Sequence, residues 1–185
     1  MIKIATAECF TQGKIGRELH ALAQSYEGDF GCKYLDLKDV CATDISVTCS
    51  LFIPTLEAVE KILNVENPPE PKQLIKGIKV YDEKGDAAVS RIMAQAVKDL
   101  SGCDIAIGTT AGIGRGGICI LGDGYEITTT IDVHADLREN DSEALFKRSE
   151  SGIRKTLEIM VLILNDDFEK IESLENVEVV GKIQS

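Results

Sequence analysis

The segment Ile2-Lys3-Ile4-Ala5-Thr6-Ala7-Glu8-Cys9-Phe10-Thr11-Gln12-Gly13-Lys14 lies at the start of the chain. Residues 2–7 are a short, mostly apolar run, which is typical of a buried strand. The apolar residues that follow recur at helical spacing and predict an amphipathic helix from about residue 12 to 26: Ile15, Leu19, Leu22, Ala23 and Tyr26. A strand that leads into such a helix indicates an α/β protein, in which ligands bind beyond the carboxyl ends of the strands.

The rest of the chain continues this alternation. Further strands are predicted at residues 33–37, 45–53, 78–81, 104–110, 118–121 and 125–133, with Asp123-Gly124 as a hairpin turn. Further helices are predicted at residues 56–63, 86–101 and 153–164. We therefore expect one α/β domain over residues 1–185, built as a mixed β-sheet covered by helices. Residues 1–165 form its predicted core, and residues 166–185 form an acidic, weakly patterned tail.

Charge and cysteine spacing exclude several classes of protein. The net charge of -11 argues against a broad surface for nucleic acid or other polyanions. The chain start lacks the apolar region of a signal peptide, and the longest apolar run, residues 159–164, is too short to span a membrane. The six cysteines contain no Cys-x-x-Cys motif, so no metal site is expected. We expect a cytoplasmic protein with reduced thiols, and a homo-oligomer whose subunit number stays open.

Cys9 is the candidate nucleophile because it falls at the carboxyl end of the first strand. The helix that follows offers unpaired amides and the positive end of its dipole, which lower the pKa of a thiol. Thr11, Gly13 and Lys14 belong to the same turn, and Lys14 adds positive charge. Glu8 opposes this effect unless it points elsewhere or contacts the ligand. The alternative is that Cys9 is a small buried residue, as free cysteines often are.

A glycine-rich loop spans residues 108–117, with the sequence GTTAGIGRGG. Glycines let the backbone approach a ligand closely, and their amides bind anions. Residues 112–117 match G-x-G-x-x-G, but a predicted strand follows, so we reject a dinucleotide fingerprint; no Walker motif occurs either. A tight strand connection is the alternative to ligand contact. The ligand-binding candidates in this loop are Thr109, Thr110, Ala111, Gly112, Gly114, Arg115 and Gly116.

Three ordered motifs within residues 4–135 resemble the C-terminal domain of CinA, the family of nicotinamide-nucleotide amidases. They are the segment AECFTQG at residues 7–13, the segment GDAAVS at 85–90 followed by MAQA at 93–96, and TTAGIGRGG at 109–117. The resemblance implies a CinA-like fold with the loop residues already named near the ligand. It adds a further set of contact candidates from the first and second motifs: Thr6, Glu8, Phe10 and Ser90.

This sequence departs from the amidase pattern at its catalytic groups. The nucleophilic serine of that family falls on Cys9. Its catalytic lysine is expected near Val59, where only Lys61 is close, and Arg148 is the nearest match to its arginine. The nucleophile is thus retained as a softer thiol, whereas the helpers for hydrolysis are absent at the expected positions.

Over the whole chain the sequence resembles the HcgF family of methanogens, which acts in biosynthesis of the iron-guanylylpyridinol (FeGP) cofactor of mono-iron hydrogenase. The resemblance implies no permanently bound cofactor, but guanylylpyridinol as ligand, with its carboxyl group as a thioester on Cys9. A thiolate does not displace hydroxide from a carboxylate, and no ATP motif is visible. An adenylating partner is therefore expected, and the resemblance implies the ubiquitin-activating-like HcgE.

Two other functions stay open from the sequence. The first is a hydrolase like the nicotinamide-nucleotide amidases, in which Cys9 attacks the amide. The second is a non-catalytic nucleotide-binding module, in which Cys9 is only packed in the core. Activity on the amide substrate favours the first function, and the absence of any covalent adduct favours the second.

Overall fold

A computed structural model of the chain describes residues 1–25, 27–30, 44–139 and 141–181. The strand predicted at 33–37 and the last predicted helical residue, Tyr26, lie outside these ranges. The strands are β1 Ile2–Glu8, β2 Ile45–Phe52, β3 Gln73–Ile75, β4 Ile78–Val80, β5 Ile105–Thr110, β6 Ile113–Gly114, β7 Gly117–Leu121, β8 Tyr125–Thr129, β9 Ala135–Asp136 and β10 Val177–Gly181. The helices are α1 Lys14–Ala23, α2 Leu56–Lys61, α3 Glu83–Ser101, α4 Ser142–Leu164 and α5 Phe168–Ser173.

Six of the strands form one sheet in the order β10-β8-β7-β5-β1-β2. Strand β1 runs parallel to both of its neighbours, β2 and β5. The pairs β5–β7, β7–β8 and β8–β10 are antiparallel. The sheet is therefore mixed, and helices cover it, as the alternation of the sequence predicted.

The side chains of β1 alternate between two apolar clusters on opposite faces of the sheet. On one face Ile4 packs in a cluster with residues of α1, α4 and α5. On the other face, which we call the α3 face, Ala5, Ala7 and Cys9 pack with residues of α3. Because the strand period is two, Glu8 and Cys9 point to opposite faces.

Side-chain caps extend two helices beyond their predicted starts. Helix α3 begins after Asp82, whose side chain accepts from the amide of Gly85. Helix α4 begins after Asp141, whose side chain accepts from the amides of Glu143 and Ala144. The caps account for where each helix begins. In α4 the added turns also include buried residues that apolar periodicity does not mark: Arg148, Ser149 and Gly152.

The segment predicted as a weakly patterned tail contains α5 and β10. Strand β10 pairs with β8 and becomes an edge of the main sheet. Ile171 of α5 is fully buried in the core, and the Phe168 ring packs edge-on against Tyr125 at 5.2 Å between centroids. Packed structure thus continues beyond residue 165, the predicted limit of the core. The many charged residues of this segment hide any apolar periodicity, although a few apolar residues pack it against the core.

Candidate active site around Cys9

Cys9 directly follows β1, at the end of the sheet where the parallel strands β1, β2 and β5 finish. Its amide donates to the carbonyl of Thr109 at 2.9 Å and lies 3.2 Å from Thr109 Oγ1. The side chain is 7% exposed and belongs to the apolar cluster of the α3 face, together with Ile53 and Tyr81. The predicted position of Cys9 at a carboxyl strand end is confirmed.

Glu8 points to the opposite face, where its carboxylate binds the start of α1. Oε1 accepts from the amide of Gly16 at 2.8 Å, and Oε2 accepts from the amide of Ile15 at 3.1 Å. The hydroxyls of Thr6 and Thr11 add bonds of 2.9 and 2.7 Å to the two oxygens. Burial raises the pKa of Glu8, and these four hydrogen bonds oppose that rise.

This network changes the expected electrostatics of Cys9. The amides at the start of α1 serve the Glu8 carboxylate, so they do not face the thiol. Lys14, expected to supply positive charge, places its ammonium 5.7 Å from the centre of the Phe146 ring on α4. Gly13 precedes α1 with a φ of 76°, a left-handed conformation that suits glycine.

Arg148 of α4 is the buried cation of the site, with only 2% of its surface exposed. Its guanidinium donates to four carbonyl groups at 2.7–3.2 Å: Ala111, Gly112, Gly114 and Ala135. Burial lowers the pKa of Arg148, whereas its electrostatic interactions with Asp86, Cys9 and Asp136 oppose that shift. The buried cation that interacts electrostatically with Cys9 therefore lies on α4.

The amides of the glycine-rich loop are largely bound by the protein itself. The Gly112 amide donates to Asp86 Oδ2 at 2.8 Å, and the Ile113 amide donates to the carbonyl of Tyr81. The Arg115 amide donates to Glu83 at 3.0 Å, and its guanidinium pairs with the same carboxylate. Arg115 thus pairs with Glu83 in this conformation, and a ligand bound by Arg115 would share its guanidinium with that carboxylate.

Close packing accounts for several glycines of this loop. A Cβ at Gly108 would lie 2.0 Å from the Ser90 carbonyl oxygen of α3, and one at Gly112 would lie 2.5 Å from backbone atoms of Tyr81. Gly114 and Gly116 have φ values of 106° and 74°. The glycines therefore let α3 and β4 approach the sheet, which supports the alternative of a tight strand connection alongside any contact with ligand.

Two buried polar groups beside the loop lack hydrogen-bond partners on specific atoms. Asp86 is fully buried, and its Oδ1 has no partner, although Oδ2 is bound by Gly112. Thr110 is also fully buried, and its hydroxyl lies beside the Asp86 carboxylate without a hydrogen bond of good geometry. Burial raises the pKa of Asp86 to about 7, against the effects of Gly112, Arg148, Thr110 and Lys79. Such unpaired groups are uncommon in cores and mark candidate functional positions.

Three further residues named from the sequence, Phe10, Ser90 and Lys61, make contacts with groups other than Cys9. Phe10 packs its ring 6.0 Å from the guanidinium carbon of Arg148, on the face opposite the Cys9 side chain. The Ser90 hydroxyl is 1% exposed and donates to the Ala87 carbonyl within α3. Lys61, the expected match to the amidase lysine, is exposed and pairs with Glu57. None of these three contacts is with Cys9.

Sequence reasoning missed Asp86 and Lys79. Lys79 of β4 is fully buried, and its ammonium donates to the carbonyls of Ile53 at 2.8 Å and Pro54 at 3.3 Å. It lies close enough to Asp86 to lower the pKa of that carboxyl. Nothing in the sequence indicates that a lysine in a three-residue strand is buried. Asp86 lies in the second motif, at residues 85–90, where the resemblance pointed to Ser90 as the contact residue.

Most of the chain, including the residues described above, matches one protein family. Residues 1–164 match the sequence model of the FeGP cofactor biosynthesis protein HcgF. The chain belongs to the HcgF family. Its function is therefore placed in FeGP cofactor biosynthesis, and the resemblance read from the sequence is confirmed. The match ends at residue 164, before α5 and β10.

Relatives from methanogenic archaea match most of the chain. A UPF0254 protein of Methanothermobacter thermautotrophicus (strain Winter) is 44% identical over 167 residues, which cover 90% of this chain and 98% of the relative. A UPF0254 protein of Methanopyrus kandleri is 44% identical over 160 residues, 85% of either chain. One from Methanococcus aeolicus is 40% identical over 169 residues, 91% of this chain and 99% of the relative. The family match over residues 1–164 includes the residues of the site around Cys9.

Within the described parts of the chain, no helix is long and apolar enough to cross a membrane. Within the same ranges, no group of three or more His, Cys, Asp or Glu side chains is arranged to hold a metal ion. The chemistry considered below rests on the thiol and the charged groups around it.

Proposed function

We propose that Cys9 forms a thioester with the carboxyl group of guanylylpyridinol, after an adenylating partner has activated that group. The observation that carries this proposal is the position of Cys9. It is a buried thiol at the carboxyl end of β1, and it interacts electrostatically with the buried guanidinium of Arg148. The thiolate is the nucleophilic form of cysteine, and the carboxyl end of a parallel strand is where open α/β sheets bind ligands.

The reaction follows from acyl-transfer chemistry. The sulfur of Cys9 attacks the acyl carbon of the adenylate and forms the carbon–sulfur bond. The bond from that carbon to the phosphate oxygen breaks, and AMP leaves with the bonding electrons. The thiol proton passes to a base. The product retains an activated acyl group, while the 7% exposure of Cys9 limits the access of water to it.

Three features of the chain support this function over simple packing of Cys9. Membership of the HcgF family places the protein in FeGP cofactor biosynthesis. The ligand end of the parallel strands is where open α/β sheets bind substrates. Asp86 Oδ1 and Thr110 Oγ1 are buried without hydrogen-bond partners among the described residues, and Thr110 ends the strand β5 that pairs with β1. A thiol that served only as core filling would not call for such unpaired groups.

The test is the mass of the intact protein after incubation with guanylylpyridinol, ATP and the adenylating partner. We expect a mass increase equal to the ligand minus water, which disappears in Cys9→Ala and is released by hydroxylamine. The matched control is Cys49→Ala, which removes a half-buried thiol of β2 and keeps Cys9. Cys9→Ser should give little adduct because an unassisted hydroxyl is a much weaker nucleophile.

Three outcomes contradict this function. An adduct that persists in Cys9→Ala places the chemistry on another residue. Hydrolysis of a nicotinamide-nucleotide amide by the wild-type protein, without any adduct from guanylylpyridinol, favours the amidase-like alternative. If neither ligand gives an adduct or turnover, the protein is a binding module.

A further inference from the structure

Thr110 lies between Cys9 and Asp86 on the α3 face. The parallel register of β1 and β5 pairs Glu8 with Thr109, and the Cys9 amide donates to the Thr109 carbonyl. Continuing this register by one residue places Cys9 beside Thr110, with both side chains on the same face. The Thr110 hydroxyl in turn lies beside the Asp86 carboxylate.

The polar atoms along this line are available for proton transfer. Among the described residues, neither Asp86 Oδ1 nor Thr110 Oγ1 has a partner at good hydrogen-bond geometry, although the two groups lie beside each other. The other carboxylate oxygen, Oδ2, is fixed by the Gly112 amide, so the free oxygen has a defined direction. Buried polar atoms of this kind are uncommon in cores, which favours a functional reason for their presence.

Charged and titratable groups face Asp86 from two elements. Arg148 of α4 and Lys79 of β4 both lower its pKa, while burial raises it to about 7. Tyr81, which follows β4, has its own pKa raised by burial and by Asp86. With burial raising its pKa and the two cations lowering it, the Asp86 carboxyl group changes protonation state near neutral pH. A general base works best when its pKa lies near the working pH, so Asp86 suits the role of accepting a thiol proton.

We propose that Asp86 accepts the proton of the Cys9 thiol through the hydroxyl of Thr110. The thiol proton moves to Thr110 Oγ1 as the hydroxyl proton moves to Asp86 Oδ1. Cys9 becomes a thiolate, the Thr110 hydroxyl is restored, and Asp86 becomes neutral, so the net charge of the group is unchanged. This inference rests on the proposed role of Cys9 as nucleophile and names the base that role needs. Thr110 and Asp86 are positioning and proton-accepting groups.

The test needs no ligand, because it measures alkylation of Cys9 in the isolated protein. The rate constant for iodoacetamide is measured from about pH 5 to 9, with the labelled peptides quantified by mass spectrometry. We expect the wild-type profile for Cys9 to bend where Asp86 ionises. Asp86→Asn should remove that bend and slow the reaction at neutral pH by about a hundredfold or more, the lower range of general-base effects. The asparagine side chain keeps an oxygen that accepts from Gly112.

A matched pair at position 110 tests the relay independently. Thr110→Val keeps the shape of the side chain without the hydroxyl and should reproduce the loss, whereas Thr110→Ser keeps the hydroxyl and should restore the wild-type profile. Labelling of Cys49 in the same samples is the internal control. This pair remains decisive if Asp86→Asn fails to fold, which circular dichroism reports.

The proposal is overturned if Thr110→Val and Thr110→Ser give the same profile for Cys9. It is also overturned if Asp86→Asn speeds alkylation, because the carboxylate would then only repel the thiolate. Failure of thioester formation with guanylylpyridinol is a separate result. If the alkylation profile of Cys9 keeps its bend but no adduct forms with guanylylpyridinol, the proposed function is rejected and the proton relay is retained.

Discussion

Asp86 and Arg148 hold Gly112 from opposite sides. The amide of Gly112 donates to Asp86 Oδ2 at 2.8 Å, and its carbonyl accepts from Arg148 Nη1 at 3.2 Å. Asp86 belongs to α3 and Arg148 to α4, so two helices fix the glycine-rich loop. The position of this loop near Cys9 is therefore set by the core of the protein.

Arg148→Lys should destabilise the protein although it keeps the charge. A guanidinium reaches four carbonyl groups from two nitrogens here, whereas an ammonium has three donors on one atom. At least one buried carbonyl then loses its partner, which lowers the free energy of unfolding by about 1–3 kcal/mol. Urea denaturation measures this change.

The control for that variant is Arg91→Lys. Arg91 has a side chain 64% exposed and pairs with Glu126 near the surface. Lysine is expected to replace it with almost no change in the urea midpoint. If both variants shift the midpoint equally, the four carbonyl contacts of Arg148 do not determine its contribution.

Asp86→Asn should change how stability depends on pH. Burial raises the pKa of Asp86 in the folded protein to about 7, above its ordinary value of 3.8. Between these values the unfolded chain releases the proton while the folded protein keeps it, so the free energy of unfolding falls as pH rises. Three pH units correspond to roughly 4 kcal/mol at most. The asparagine variant should lack this decline when urea denaturation is repeated from pH 4 to 7.5.

Asp136→Asn provides a control of opposite sign. Its hydrogen bonds with Arg138 lower the pKa of Asp136 to about 2. The stability that this carboxylate contributes is therefore present above pH 3.8 and is lost as pH falls toward 2, so urea denaturation of this variant is measured from about pH 2 to 5. If Asp86→Asn and Asp136→Asn shift the pH profile in the same direction, the protonation assigned to Asp86 is incorrect.

Glu8→Gln should weaken the junction of β1 and α1. Each carboxylate oxygen of Glu8 accepts from one backbone amide, at Ile15 or Gly16. A glutamine turns one of these acceptors into a donor that faces an N–H group, so a buried amide is left unpaired at a cost of about 1–3 kcal/mol. Thermal and urea unfolding report the loss, with Glu57→Gln as the exposed control. An unchanged Glu8→Gln midpoint would contradict the capping role.

The sequence predicted the sheet and the position of Cys9 because both depend on local periodicity. Apolar alternation and helical spacing report which side is buried, and this determined the mixed α/β fold. The same reasoning placed Cys9 at a carboxyl strand end, where the structure has it. Arg148 was reached through the family resemblance, which specifies a residue without giving its contacts.

The direction of each side chain could not be predicted in the same way. Glu8 and Cys9 are adjacent in sequence but serve opposite faces, so the helix start that was expected to activate the thiol instead binds Glu8. The roles of Lys79 and Asp86 depend on contacts between β4, α3 and α4. Such contacts join distant segments, and no local pattern in one sequence encodes them.

Ile171→Ala tests whether α5 and β10 belong to the folded core. This segment follows the part of the chain that matches the HcgF family, which ends at residue 164. Ile171 is fully buried against the main apolar cluster, so its truncation should lower the free energy of unfolding by about 2–5 kcal/mol. The matched control is Val180→Ala on β10, where the side chain is 54% exposed and little loss is expected. If Ile171→Ala leaves the urea midpoint of the whole protein unchanged, the C-terminal segment does not contribute to the core in solution, and β8 is the effective edge of the sheet.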